Sequence, residues 1–466
     1  MCPSIVFAMV AALCAADGVS PADAARIKYS AQRFVYLDVG ETQTFRMKDG
    51  SERRLRLASA TEHADSVIEL LRRADVAIEI DGKPLALVCE PYRMPSEQAG
   101  LRIQADTTSG WTGIPKRVQL SVWDASDPIV DVGRFTFPLS GYRLFSQGTQ
   151  GYNEPVHLGD RDGDPDGQRF HHNYGFDLAG FEGKDKVVSC IDGTVVLVDA
   201  PEGSLAIEDD RGIVFHYGHL DTILPGMKVG AKVSRGQDVG ILGRKGPSGN
   251  FSHLHVGIFL SKEDLFADRS CRAINLYPWL FEAYRHSAGL KLCAVARPHI
   301  AARTGEAVRL DATRSAAFGS SLTSYRWELP GGVSLSGVRG EHTFGAPGTY
   351  SAALWVEDAR GLRDVDFVTV RVYSKEKPEG VMPTLFMTYA PSGGARVDQP
   401  IAFRLWPQGR ELDSIRIDFG DGRIVERYAP YSTVTHRFKA PGIHAVTASA
   451  SAGGLPVMQR VKVIVD

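Results

Sequence analysis

The sequence has no basic stripe: 53 Lys and Arg stand against 55 Asp and Glu over 466 residues, a formal net charge of −2. Nucleic acid is therefore not an expected partner. None of its six cysteines forms a Cys-x-x-Cys pair, which argues against a cysteine zinc site. It has no His-Glu-x-x-His, the helical motif of a thermolysin-like enzyme. Beyond residue 16 no stretch stays apolar for the roughly 18 residues a membrane-spanning helix needs, so no transmembrane anchor is expected. Glycine (48) and proline (25) are plentiful without a short period, which favours turn-rich β structure over long helices. The length suggests roughly two to four domains.

Residues 5–16 (IVFAMVAALCAA) form an apolar run too short to span a bilayer and suited to a signal-peptide core. No Lys or Arg precedes it, but small residues follow. Residues 1–24 are taken as a signal peptide, and the chain as exported to a periplasm, the cell surface or the medium. Without that leader four cysteines remain, Cys89, Cys190, Cys271 and Cys293. In an oxidising compartment Cys271 and Cys293 could bridge the end of the histidine-rich region. Cys89 and Cys190 read as isolated buried thiols.

Residues 25–140 read as a β-rich domain of unknown role. Short alternating runs such as Phe34–Leu37 and Val76–Ile80 are broken by Asp49-Gly50 and Asp81-Gly82, which predict hairpin turns. Residues 61–75, with a Thr61 cap and apolar Val67, Leu70 and Leu71, predict a short helix. Its only histidine, His63, is expected at the surface. Residues 141–290 differ: eight of the thirteen histidines lie between His157 and His286. Short apolar strands, 193–198 and 212–217, alternate there with Gly-rich turns. Two further units follow, 294–373 and 384–466, joined by the linker 374–382. Their strands alternate with Pro-Gly and Asp-Gly turns, a pattern that predicts immunoglobulin-like β-sandwiches.

Three short segments carry the chemistry. In Ser252-His253-Leu254-His255-Val256, two histidines two apart on a strand project to one face. Tyr217-Gly218-His219-Leu220 ends another strand with a histidine, and His171-His172-Asn173-Tyr174-Gly175-Phe176-Asp177 joins histidine to carboxylate. A His/Asp/His set with an open fourth position is what a catalytic zinc requires. His216 is placed on the other face of its strand, as a structural residue.

Together and in this order, the segments resemble the lysostaphin-like (LytM-type) zinc metalloendopeptidases. The resemblance continues through Asp192-Gly193-Thr194-Val195, Gly226–Val229, Val239–Gly243 and Pro247–Gly249, and closes at Asn275–Pro278. It implies a β-sheet peptidase domain of the duplicated hybrid type, one Zn²⁺, and a peptide bond of peptidoglycan as substrate. It makes Asp177 and His255 metal ligands and His219 and His253 the non-ligand catalytic histidines. The common spacing puts the first ligand four residues before the Asp, where this chain has Asn173. A one-residue bulge would bring His172 into place, whereas strand parity favours His171; His172 is taken as the ligand. The sandwich units resemble PKD-type repeats: the second carries Ile417-Asp-Phe-Gly-Asp-Gly422, and the first replaces that turn with Glu328-Leu-Pro-Gly-Gly332.

A fainter signal lies upstream. Asp162, Asp164 and Asp166, followed by Gly167, fit the first half of an EF-hand-like calcium loop, with a solvated acidic loop as the alternative. The expected function is exported, zinc-dependent hydrolysis of peptidoglycan peptides. Its alternative is a catalytically degenerate relative, or a wall-binding or adhesive protein that uses the sandwiches for polysaccharide or protein contacts. The N-terminal domain is a candidate built-in inhibitor.

Overall fold

The computed structural model describes residues 33–111, 113–161, 164–266, 273–375, 382–428 and 431–466, with the side chains of 157–171 and 427–428 outside the description. The described chain is mostly β. The expected signal peptide, Cys271 and Asp162 lie outside the described residues.

The N-terminal domain is a pair of four-stranded sheets. One is a meander of Thr42–Arg46, Glu52–Ala64, Leu71–Ile80 and Lys83–Cys89; the other orders Arg33–Leu37, Val118–Asp124, Leu101–Thr108 and Ser96–Gln98. Alternation supplies the core between them, with Leu55, Ile78 and Ile80 of the first facing Leu101, Ile103 and Val118 of the second. Asp81-Gly82 turns the hairpin as expected, with φ of 51° and 77°. The helix expected over 61–75 does not form. That stretch is a hairpin joining Glu52–Ala64 to Leu71–Ile80. Asp65 accepts the amides of Val67 and Ile68, which fixes a turn, and Val67 packs on Tyr373, Met382 and Leu455 of the sandwiches. Val67 thus serves a tertiary contact, and Leu71 packs on the N-terminal domain's own core. His63 lies at the surface against Asp75 at 2.9 Å.

The central domain has a seven-stranded antiparallel sheet ordered Lys232–Val233, Gly193–Asp199, Ser204–Glu208, Val214–Gly218, His253–Phe259, Phe176–Ala179, Thr149–Gln150. One face, with Phe176, Leu178, Leu254, Val256, Phe215 and Tyr217, packs on the three-stranded sheet of Lys186–Val188, Leu220–Ile223 and Asp238–Leu242 and on the helix Tyr277–Ser287. By strand parity the opposite face carries Asp177, His253, His255 and His216.

Beyond it, two sandwich cores form, one around Trp327, Leu354 and Val370, the other around Phe403, Phe419 and Val461. Gly348–Asp358 of the first and Leu455–Val465 of the second run side by side in parallel, so one nine-stranded sheet crosses both. Asp418–Gly422 is a turn: Asp418 and Asp421 accept the amides of Gly420 and Arg423. Of the acidic segment weighed for calcium, the Asp164 and Asp166 backbone lies in a strand, and no finding supports a calcium site there. Asp164–His172 is a strand paired with Pro155–Arg161, so its backbone is committed to a ladder. Cys89, Cys190 and Cys293 are buried thiols.

Candidate active site

Register brings the functional residues together. Asp177 lies directly opposite His255 across one strand pair, Ala179 opposite His253, and Gly218 opposite His255 across the next. His255 is thus the centre of three strands. Gly175 makes room for it: a Cβ there would stand 2.6 Å from His255 Nε2 and 2.5 Å from the Val256 carbonyl. His219 follows Gly218 in the left-handed region (φ 64°), a strained setting for a non-glycine residue. There the chain leaves the seven-stranded sheet for the three-stranded one, and the turn aims the imidazole back across the site.

His255 Nδ1 lies 2.8 Å from Asp177 Oδ1, and His253 Nε2 lies 3.9 Å from the same oxygen. The rings of His219 and His253 are 4.5 Å apart, and those of His219 and His255 6.1 Å. His219 Nδ1 donates to the Lys245 carbonyl at 2.7 Å and His253 Nδ1 to the Phe251 carbonyl at 3.0 Å. A carbonyl only accepts, so both rings carry their proton on Nδ1 and keep the Nε2 lone pair. Burial works against the Asp177 charge, but His253, the hydrogen bond from His255 and His219 outweigh it and hold the carboxyl down to about 2. Burial, then the neighbouring His253 and His255, pushes His219 down to about 3; burial also lowers His253, against the pull of Asp177. At neutral pH Asp177 is therefore a carboxylate beside the neutral imidazoles of His219 and His253.

Asp177 and His255 offer a buried carboxylate oxygen and an imidazole nitrogen side by side, the donor chemistry zinc takes. Among the described residues a third His, Cys, Asp or Glu does not join them in an arrangement that could hold a metal. The expected ligand His172 lies at the end of Asp164–His172, in a different sheet from Asp177, so neither a bulge nor strand parity relates the two. Its Nε2 is 3.3 Å from the Leu71 carbonyl of the N-terminal domain, and its ring meets Trp111 edge-on. The His171 side chain lies outside the description. Asn173 is buried, giving its amide to the Gln150 carbonyl and accepting from Gly175 N–H. Among the described residues no set of three His, Cys, Asp or Glu side chains is arranged to hold a metal.

Two features escaped the sequence. His216 lies on the same face as His255, its ring 6.0 Å away and its Nε2 2.7 Å from Ser204 Oγ. Counting parity from His219 failed because His219 has already left the strand. Phe251 stacks on His253 at 4.8 Å; its place two residues before the His-x-His pair was the only available sign.

Residues 171–266 match the model of peptidase family M23, and residues 293–372 that of the PKD domain. These are the two families the motifs resemble. No curated protein matches the chain. Among solved structures, a putative glycyl-glycine endopeptidase LytM from Ruminococcus gnavus is 23% identical, over 33% of this chain and 61% of that one, with a TM-score of 0.22. A zinc-containing peptidase from Vibrio cholerae is 19% identical, over 48% of this chain and 85% of that one, also at 0.22. The M23 match supports a peptidase function for the histidine-bearing segment.

Proposed function

We propose that this protein is an exported, zinc-dependent endopeptidase that hydrolyses peptide bonds of peptidoglycan stems or cross-links. The observation that carries the reading is the Asp177–His255 pair with His219 and His253 beside it, inside the segment matched by the M23 model. Asp177 and His255 are the proposed ligands, with His172 as the third once it leaves the Leu71 carbonyl. A zinc ion held there would polarise the scissile carbonyl and acidify water.

The chain's own groups supply the rest. His219 and His253 present unprotonated Nε2 atoms, the form needed to accept a proton from an attacking water. Either ring, once protonated, faces the Asp177 carboxylate and can stabilise a developing oxyanion or pass the proton to the leaving amine. Their spacing disfavours two cations together, so one proton is moved at a time. Export is supported by the apolar run at residues 5–16, and no helix among the described residues is long and apolar enough to cross a membrane. The sandwich domains are proposed to contact surface polysaccharide or protein.

The test is release of new amino groups from purified peptidoglycan by the full chain and by His255→Ala, with zinc content measured in both. Release that the substitution and a chelator both abolish supports the reading. Absence of both zinc and release from the parent protein rejects it.

A further inference from the structure

The two proposed catalytic histidines share a support. The carbonyls that fix their tautomers, Lys245 and Phe251, both belong to the loop 243–252. Within the loop the Ser248 hydroxyl donates to the Arg244 carbonyl, Arg244 reaches Asn250, Ser248 N–H donates to Gly246 and Phe251 N–H to Ser248, and the two ends meet where His253 N–H donates to Gly243. Any shift of the loop would move both imidazoles, because each ring is aimed by a single hydrogen bond to it.

The second sandwich, far away in sequence, grips the same loop. Thr384–Ala390 and Ile401–Gln408 pair so that Phe386 faces Trp406 and Thr384 faces Gln408. Period two then puts Phe386, Trp406, Gln408 and Arg404 on one sheet face. Gln408 Nε2 donates to the Gly249 carbonyl at 2.9 Å. Phe386 stacks on Phe251 at 4.3 Å, and Phe251 on His253 at 4.8 Å, both nearly parallel at 22° and 17°. A continuous three-ring stack therefore runs from the sandwich to a catalytic imidazole. Arg244, at the loop's start, lies over Trp406 at 4.9 Å, and Glu182 bridges Arg244 at 3.1 Å and Arg404 at 3.5 Å.

We infer that the second sandwich is a positioning element of the active site, with Phe386 and Gln408 acting through loop 243–252 on His253 and His219. The inference rests on the peptidase reading. It assigns the C-terminal domain a part in turnover that is separate from any adhesion to the wall. Neither residue touches the reacting atoms, so their removal should act on kcat rather than on KM.

The experiment uses the full chain with Phe386→Ala, Gln408→Ala and the conservative Phe386→Tyr. Peptidoglycan-peptide hydrolysis and amide hydrogen exchange are followed on each. Expected is a kcat reduced roughly 10- to 100-fold with KM within about twofold in the two alanine variants. Phe386→Tyr, which keeps the ring stack, should recover most of that rate. Exchange at amides 245–252 should quicken about tenfold while Thr384–Ala390 and Ile401–Gln408 keep their protection. Parent-like kcat and parent-like loop exchange in both alanine variants would overturn the inference. So would a loss shared by Phe386→Tyr, or one accompanied by exchange throughout the sandwich. A parent protein that cleaves nothing rejects the peptidase reading alone, and loop exchange then decides the positioning role by itself.

Discussion

At Asn173 a buried amide stands at the position where the resembled family carries its first ligand. The amide spends its hydrogen bonds on Gln150 and Gly175, and among the described residues no third His, Cys, Asp or Glu joins Asp177 and His255 in an arrangement that could hold a metal. Asn173→His places an imidazole at the spacing common to the resembled family. Zinc affinity, measured by competition with a chelator, should rise at least ~10-fold, the scale that a ligand's orienting partner alone contributes. Unchanged affinity would show that the segment cannot turn a side chain toward Asp177. A second residue acts through burial alone. Asp106 is buried, with Oδ1 lacking a partner and Oδ2 accepting from Ser121, and burial pushes its pKa up to about 8. Unfolded, it ionises near the ordinary 3.8, so between those values the unfolded state holds fewer protons and stability falls as pH rises. Asp106→Asn keeps the shape without the charge. Its Tm should exceed the parent's near pH 8 and converge with it near pH 4; equal Tm values at both would exclude a buried charge at this position.

Among the elements, the segment 173–175 leaves no room for a side chain at Gly175 beside His255. It connects two strands of different sheets and passes so close to His255 that only a glycine fits at 175. Gly175→Ala would press a methyl group against the Val256 carbonyl, which is backbone and cannot swing aside. A cost of about 1–3 kcal/mol is expected in chemical denaturation, together with loss of zinc binding as His255 is displaced. Retained zinc affinity would place the proposed ligand elsewhere. The strand elements themselves were largely legible: alternation marked Phe34–Leu37, and Asp81-Gly82 marked its hairpin, because pleat and turn chemistry act over a few residues. The helix expected over 61–75 failed for the complementary reason. Its Val67 answers to Tyr373 and Leu455, some 300 positions or more away, and no local window contains that partner.

Across the whole molecule, the domains are joined by buried polar contacts. Arg297, between the central domain and the first sandwich, pairs with Asp366 at 3.3 Å and donates to the carbonyls of Thr149 and Gln147. Lys462 of the second sandwich pairs with Asp364 at 2.7 Å and gives its backbone N–H to the Ser146 carbonyl. Removing one partner of such a pair leaves a buried charge alone, at a cost of about 3–5 kcal/mol. Arg297→Gln should lower the denaturation midpoint accordingly and separate unfolding of the sandwiches from that of the central domain. A single transition at the parent midpoint would show that the junction bears little load. The spacing of His253 and His255 put both on one face because a strand repeats every two residues, and pairing with Phe176–Ala179 brings Asp177 to that face, whereas His219 reaches them from the turn beyond its strand. Sequence by itself determined those strands, the turn chemistry and the residue types of the site. Tertiary structure alone decided that His172 faces Leu71 and Trp111, that His216 shares the face of His255, and that the second sandwich holds the loop supporting both histidines. Each of these depends on which distant surface packs there, and a linear pattern records the propensity of a segment but not its neighbour.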